Sequence, residues 1–454
     1  MKPKLLLLPF IFLLAACSNP EKREEQPPAE TTVPPAVQKD TFSNSHVQPS
    51  IVSRNNPDFT YALYLPRQNN DSARLPVIIF CDPHGDGSFP VTKYHSLAEK
   101  FGVILIGSND IKNGLTFNQT TPILQLLVSE ASTRFHADNR QISLAGFSGG
   151  AKAVLVAATE TPSILSIIYC GAGISQLTGQ LPPSLGIAGL KDMNYTEVVA
   201  LDAQMDNQHV RHAIIEWNGR HEWSDSSIFQ DAFYWVRFRA MEKNYCTPDM
   251  SLVQTFIRQN YAVLSDPLKE KMRLKKVINF LSGVADVTSF QLSLMSHINT
   301  KKFIAAEAAD RENLEVETRM KQNYFECLEQ KDVLWWHGEI SRIRNLGRTD
   351  AGQRIIGYIS LACYSLSSST LKQGDLKKAE KYLSIYSLVD PDNADRAYLQ
   401  AGYYALTRND VGAIQSLREA VNLGFSDKSK LQNDDLFSSI RNSSEFNEVV
   451  QSIK

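Results

Sequence analysis

Gly146-Phe147-Ser148-Gly149-Gly150 sets a serine between glycines in a G-x-S-x-G pattern. A serine hydroxyl attacks a carbonyl when a base takes its proton and donors hold the oxygen that turns negative. Small neighbours permit the tight, strained turn that lifts such a serine clear of a sheet, at the start of a helix. His221, in Asn218-Gly219-Arg220-His221-Glu222-Trp223, is the candidate base. Asp192, in Leu190-Lys191-Asp192-Met193-Asn194-Tyr195, is the candidate acid that orients the imidazole and stabilises its cation. Asp202 is the second choice for the acid, although it lies within a helical stretch. His209 and His212 precede or begin a strand and are expected to project from its wrong end.

The loop Asp82-Pro83-His84-Gly85-Asp86-Gly87 offers the remaining part, an oxyanion hole. Gly85 allows close approach, and the Asp86 N–H would partner the Gly149 N–H. A carboxylate facing that hole would oppose the anion, so the Asp86 side chain is expected to turn away. Asp82, His84 and Asp86 also have the types for a cation site, but their spacing matches no standard loop. No metal and no organic cofactor is expected.

These residues need a sheet to hold them, and the surrounding pattern predicts one. Phe59–Leu65 alternates like a strand, and Val77–Cys81 is a continuous apolar run. Val103–Ile106, Ile142–Ala145, Ile164–Tyr169, Leu185–Gly189 and Ala213–Trp217 follow as further strands. Helical spacing over Thr92–Lys100, Pro122–Phe135, Tyr195–Met205 and Ser226–Met241 separates them. The alternation implies an α/β fold with a mostly parallel sheet, and each candidate residue falls just after a strand.

The stretches Cys81–Gly87, Gly107-Ser108-Asn109, Ala145–Ala151, Lys191–Tyr195 and Gly219–Trp223 together resemble the α/β-hydrolase superfamily. The nearer likeness is to its secreted esterases of the dienelactone-hydrolase-like, feruloyl-esterase-like and polyhydroxybutyrate-depolymerase-like kinds. The chain order Ser148, Asp192, His221 is the order of that superfamily. The resemblance covers about residues 59–245. It implies hydrolysis of carboxylic esters through an acyl-enzyme, with an ester-containing small molecule or polymer as substrate. Asp86-Gly87 departs from the glycine or apolar run of many members. With 73 positions between Ser148 and His221, no large lid domain fits there, which implies an open cleft.

The N-terminus reads as a targeting segment. Lys2 and Lys4 precede the apolar run Leu5–Leu14, and Leu14-Ala15-Ala16-Cys17 resembles a bacterial lipobox. That implies a signal peptide over 1–16 and lipidation at Cys17. Ser18 after the cysteine favours the outer membrane, so a cell-envelope lipoprotein is expected, held by lipid alone. Residues 17–50, rich in Pro, Glu, Gln and Thr, read as a tether. No second apolar run is long enough to span a membrane. A net charge of −2 argues against a nucleic-acid partner. Five irregularly spaced cysteines remain, which is no disulfide framework, and Cys81 and Cys170 read as small core residues.

The hydrolase pattern is expected over 51–246, a helical region over 247–345, and repeats over 346–454. Leu252–Leu281 and Phe303–Ile343 have helical character. Lys372–Ala379 recurs as Thr407–Ala413, placing Ala379 and Ala413 one tetratricopeptide period apart. The segment resembles two tetratricopeptide-like repeats with a capping helix near Phe446. Such a surface either braces the hydrolase or binds a protein partner. Asp390, Asp392, Asn393 and Asp395 read as a solvated turn, and Trp335-Trp336 as helix packing. Two further readings stand beside the esterase: a serine peptidase, and an inactive hydrolase fold that serves as a binding or assembly lipoprotein.

Overall fold

Seven apolar residues in a row, Leu75–Cys81, are buried on both faces and form the centre of a sheet. A computed structural model describes residues 42–69, 74–135, 137–346 and 349–453; the signal segment 1–16 and Cys17 lie outside them. The strands are β1 (Val47–Val52), β2 (Thr60–Tyr64), β3 (Leu75–Cys81), β4 (Ile104–Ser108), β5 (Ala137–Phe147), β6 (Ser166–Cys170), β7 (Ser184–Gly189) and β8 (His212–Trp217). Their order in the sheet is β1-β2-β4-β3-β5-β6-β7-β8. β2 pairs antiparallel with both its neighbours, and every other pairing is parallel. Helices α1 (Ser88–Phe101), α2 (Phe117–Arg134), α3 (Gly149–Thr159), α4 (Tyr195–Asn207) and α5 (Ser226–Glu242) connect or follow the strands. This is an α/β-hydrolase fold, followed by a large all-helical region.

Several boundaries differ from the sequence pattern: α1 begins at Ser88 and not Thr92, β5 at Ala137 and not Ile142, and two further differences have a local cause. Residues 47–50, which their polar composition placed in the tether, belong to β1. They lie on the sheet's edge, where one neighbour supplies the ladder and little burial is required. α2 starts at Phe117 and not at Pro122, because Thr116 and Gln119 form a capping box that begins it earlier. Pro122 is accommodated inside the helix.

Beyond α5 come α6 (Met250–Gln259), α7 (Pro267–Leu281), α8 (Thr288–Ile298), α9 (Lys301–Gln330), α10 (Val333–Leu346), α11 (Asp350–Gln373), α12 (Leu376–Val389), α13 (Ala394–Leu406), α14 (Asp410–Asn422), α15 (Lys428–Asn433) and α16 (Ser444–Ser452). Side-chain caps start many of them: Thr300, Thr349, Asp375, Asn393, Asn409, Asp427 and Ser443 each accept from a first-turn N–H. Each such cap contributes about 1 kcal/mol. Trp336 is fully buried among Tyr324, Ile340 and Ile359, so it is helix packing. Asn393 caps α13, and Asp390 accepts from Ser360 and Asn393. Ala379 in α12 and Ala413 in α14 are both fully buried.

The sheet's core runs on into the helices after residue 246. Phe80, Phe147 and Phe229 share one apolar cluster with Val253, Phe256, Val277 and Phe280. The described residues from Ser43 onward form one compact unit. Phe256 is central to the join: its ring stacks on Phe280 at 4.9 Å and meets Tyr234 at 5.2 Å and Phe238 at 5.3 Å. A Phe256→Ala protein is expected to lose about 3–5 kcal/mol, because the neighbouring rings cannot close the cavity. Urea unfolding of the two proteins measures the difference, and a loss below about 1 kcal/mol would contradict this packing role.

Candidate active site

β5 delivers Ser148. The strand ends at Phe147 and α3 begins at Gly149, leaving Ser148 alone in the turn with φ 52° and ψ −120°. A side-chain-bearing residue in that region stores about 1–3 kcal/mol of strain. The turn needs its glycines because the backbone is crowded. A Cβ on Gly150 would lie 2.0 Å from the Cys81 carbonyl oxygen of β3.

β7 and β8 deliver the other two residues. The Asp192 loop follows β7, and its Oδ1 accepts from the Asn194 N–H at 2.8 Å. The His221 loop follows β8. His221 Nε2 lies 2.9 Å from Ser148 Oγ, and His221 Nδ1 lies 2.9 Å from Asp192 Oδ1. Thus residues 73 and 29 positions apart form one hydrogen-bonded run. Asp192 is 1% exposed, so its carboxylate is removed from competing water. The Phe147 ring lies 4.6 Å from the imidazole and covers it.

The loop after β3 is tied to the His221 loop through Asp82. Its Oδ2 accepts from Trp223 Nε1 at 2.8 Å, and its Oδ1 accepts from the His84 N–H at 2.9 Å. Trp223 itself packs on Phe80 and Phe147. The Asp86 carboxylate accepts from the N–H groups of Ser88 and Phe89, both at 3.1 Å, at the start of α1. Its charge therefore meets a helix N-terminus, where it is stabilised. Gly149, in the first turn of α3, has no helical acceptor for its N–H.

Other sequence candidates fall elsewhere. Asp202 faces His212, whose Nε2 is 3.0 Å away, and not His221. Among the described residues, Asp202, Asp206 and His212 are the trio whose ligand atoms cluster closely enough for a metal. The Lys275 ammonium lies 2.9 Å from Asp206 and 3.8 Å from Asp202, so those carboxylates already have a cation. Asp82 is occupied by Trp223 and His84 as described, and Asp86 by α1. Cys81 and Cys170 are buried, and burial pushes both thiols far above their usual range. They are core residues, not nucleophiles.

The site has parts with no sequence signal. Gly171, just after β6, has φ 63°; a Cβ there would lie 2.6 Å from the Phe147 ring and 2.9 Å from Asp192 Oδ2. Gly171→Ala is expected to displace the Asp192 carboxylate and weaken its hydrogen bond to His221. The downfield Nδ1 proton resonance of His221 measures it; an unchanged resonance would show that Asp192 needs no such seat. Asn113, on the loop after β4, presses its side-chain oxygen on Gly149, where a Cβ would lie 1.9 Å from it. The Asn113 N–H donates to the Pro83 carbonyl at 2.8 Å, joining the loops after β3 and β4.

Two cavities border this architecture. A small one of about 180 Å³ is lined by Gly149, Asn113, Ile111, Leu115 and Phe117. A larger one of about 630 Å³ lies between β8, α4, α7, α9 and α11; Ser148, His221 and Asp192 are in the lining of neither.

No protein-family model and no curated protein matches the chain. Solved structures do. An esterase from the hyperthermophilic archaeon Pyrobaculum calidifontis is 15% identical, over 45% of this chain and 87% of its own, with a TM-score of 0.35. An S-formylglutathione hydrolase from Staphylococcus aureus is 14% identical, over 43% of this chain and 98% of its own, with a TM-score of 0.35. Another from Agrobacterium tumefaciens is 15% identical, over 42% and 94%, with a TM-score of 0.33.

Proposed function

We propose that this protein is a serine hydrolase of carboxylic esters, held in the cell envelope by lipid on Cys17. The observation that carries the reading is the run from Ser148 Oγ through both His221 nitrogens to Asp192, with 2.9 Å at each step. Asp192 accepts from Nδ1–H, which leaves Nε2 free to take the Ser148 proton. Ser148 Oγ then bonds to the acyl carbon, and the carbonyl oxygen becomes an oxyanion held by the N–H groups of Gly149 and Asp86. Collapse breaks the ester C–O bond. His221 gives its proton to the leaving alcohol, and an acyl-Ser148 remains. Water, deprotonated by His221, attacks that acyl group; the carboxylate leaves and Ser148 recovers its proton.

The cavity of about 180 Å³ that Gly149 lines, one residue after Ser148, would hold only a short acyl group. An aryl acetate or butyrate is therefore expected to exceed an aryl decanoate in kcat/KM by about tenfold or more, since a chain that cannot enter loses its burial energy. The mechanism is tested by mass spectrometry after fluorophosphonate treatment of the soluble form that begins after Cys17. One adduct, on Ser148, is expected. No adduct on a folded protein would overturn the reading in favour of a non-catalytic lipoprotein.

A further inference from the structure

We infer that the helical region is part of the catalytic apparatus: Arg354 and Lys321 are positioning residues that clamp the loop carrying Asp192. The inference rests on the hydrolase reading above and assigns α9 and α11 a role within it. Arg354 Nη1 on α11 donates to the Leu190 carbonyl at 2.6 Å, and Lys321 Nζ on α9 donates to the Met193 carbonyl at 2.9 Å. Those carbonyls bracket Asp192 on either side in the chain. Among the described residues they have no other donor.

The two cations are themselves held. Glu317 on α9 accepts from Arg354 Nε at 3.0 Å and Nη2 at 2.5 Å, and lies 2.7 Å from Lys321 Nζ. The Arg354 guanidinium also stacks over the Tyr195 ring at the start of α4, 4.6 Å from its centre. All three charged groups are at least nine-tenths buried. Burying three charges is a desolvation cost that ordinary helix packing would avoid. What the cluster gains is direction: short, charge-assisted bonds to two chosen carbonyls.

The loop's inner side is fixed by the sheet. Leu190 N–H donates to Trp217, Lys191 N–H to Gly219 and Asp192 N–H to Gly189. Its outer side meets the helices, with Gly357 of α11 against Met193, while Asn194 Nδ2 donates to the Gly171 carbonyl at 2.9 Å. A catalytic carboxylate must hold its place to about 0.5 Å, and the clamp adds two restraints from α9 and α11 to those that the strand ends supply.

The test uses the full soluble chain with Arg354→Met, Lys321→Met, the double variant, and the conservative Lys321→Arg. Three readouts are taken: kcat and KM on a short aryl ester, thermal melting, and the downfield Nδ1 proton resonance of His221 in 15N-histidine-labelled protein. The double variant is expected to lose about 100-fold in kcat, with KM within about threefold and the Nδ1 resonance broadened or shifted. Lys321→Arg, which keeps the donor, is expected to recover most of the loss. A melting shift alone, with kcat of the folded protein and the resonance unchanged, would overturn the clamp. If the wild type neither turns over ester nor labels, yet its resonance is present and responds to the variants, the clamp stands and the esterase reading fails.

Discussion

Ser148→Ala is expected to lower ester turnover by about 10⁴-fold or more and to abolish fluorophosphonate labelling, without unfolding the protein. The loss is large because, among the described residues, the proposed nucleophile has no thiol to replace it: Cys81 and Cys170 are buried in the core. Folding is expected to survive for two reasons. Alanine keeps the Cβ, so the strained turn at φ 52° is unchanged by the substitution. The hydroxyl removed makes one side-chain hydrogen bond, to His221, worth about 1 kcal/mol. Initial rates on an aryl acetate, beside a melting curve for each protein, check both parts. Full turnover by Ser148→Ala would remove Ser148 from the mechanism.

Removing the acid is expected to be nearly as severe, and its graded variants carry more information. Asp192→Ala deletes both the Nδ1 acceptor and the charge, and about 10⁴-fold in kcat is expected to go with them. Asp192→Asn is expected to cost less, about 10²–10³-fold, for a reason specific to this loop. Asp192 Oδ1 accepts from the Asn194 N–H as well as from His221. An amide placed there must keep its oxygen at that position, since its NH₂ would meet a backbone donor. The imidazole therefore keeps its tautomer, and only the carboxylate's stabilisation of the imidazolium is lost. In a site without that N–H, the amide can turn and the tautomer is lost as well, which costs about 10⁴-fold. The ratio of kcat between the Ala and Asn proteins measures the difference. Equal losses would mean that the Asn194 N–H does not set the amide's orientation.

The helical region bears on the interpretation of both experiments. The loop that carries Asp192 is reached from α9 and α11 at Met193 and Leu190, and the apolar core beneath the site is shared with α6 and α7. A chain shortened after residue 246 would expose Phe256's partners and free the outer side of the Asp192 loop together. Point variants in the whole chain are therefore the informative ones.

Much of the sheet was legible in the sequence, because a buried strand has no choice but to be apolar. Val77–Cys81, Ile142–Ala145 and Ala213–Trp217 each announced themselves, and Ser148, Asp192 and His221 stood out as polar residues just past such runs. β1 did not announce itself, since an edge strand half open to solvent needs no apolar pattern. Gly171 and Asn113 gave no signal either, as their importance lies in what they touch across the fold. Lys321 and Arg354 are the clearest case. On a helix, a cation three or four positions from an acid reads as a solvated face. Their carbonyl partners lie 128 and 164 positions away. The sequence by itself determined the order of strands and the residue types at their ends, because hydrophobic period and turn chemistry are local. Only the tertiary structure decided which helices close on the Asp192 loop, because packing between distant segments depends on shape and on the few polar groups left to pair, and neither is written at any one place in the chain.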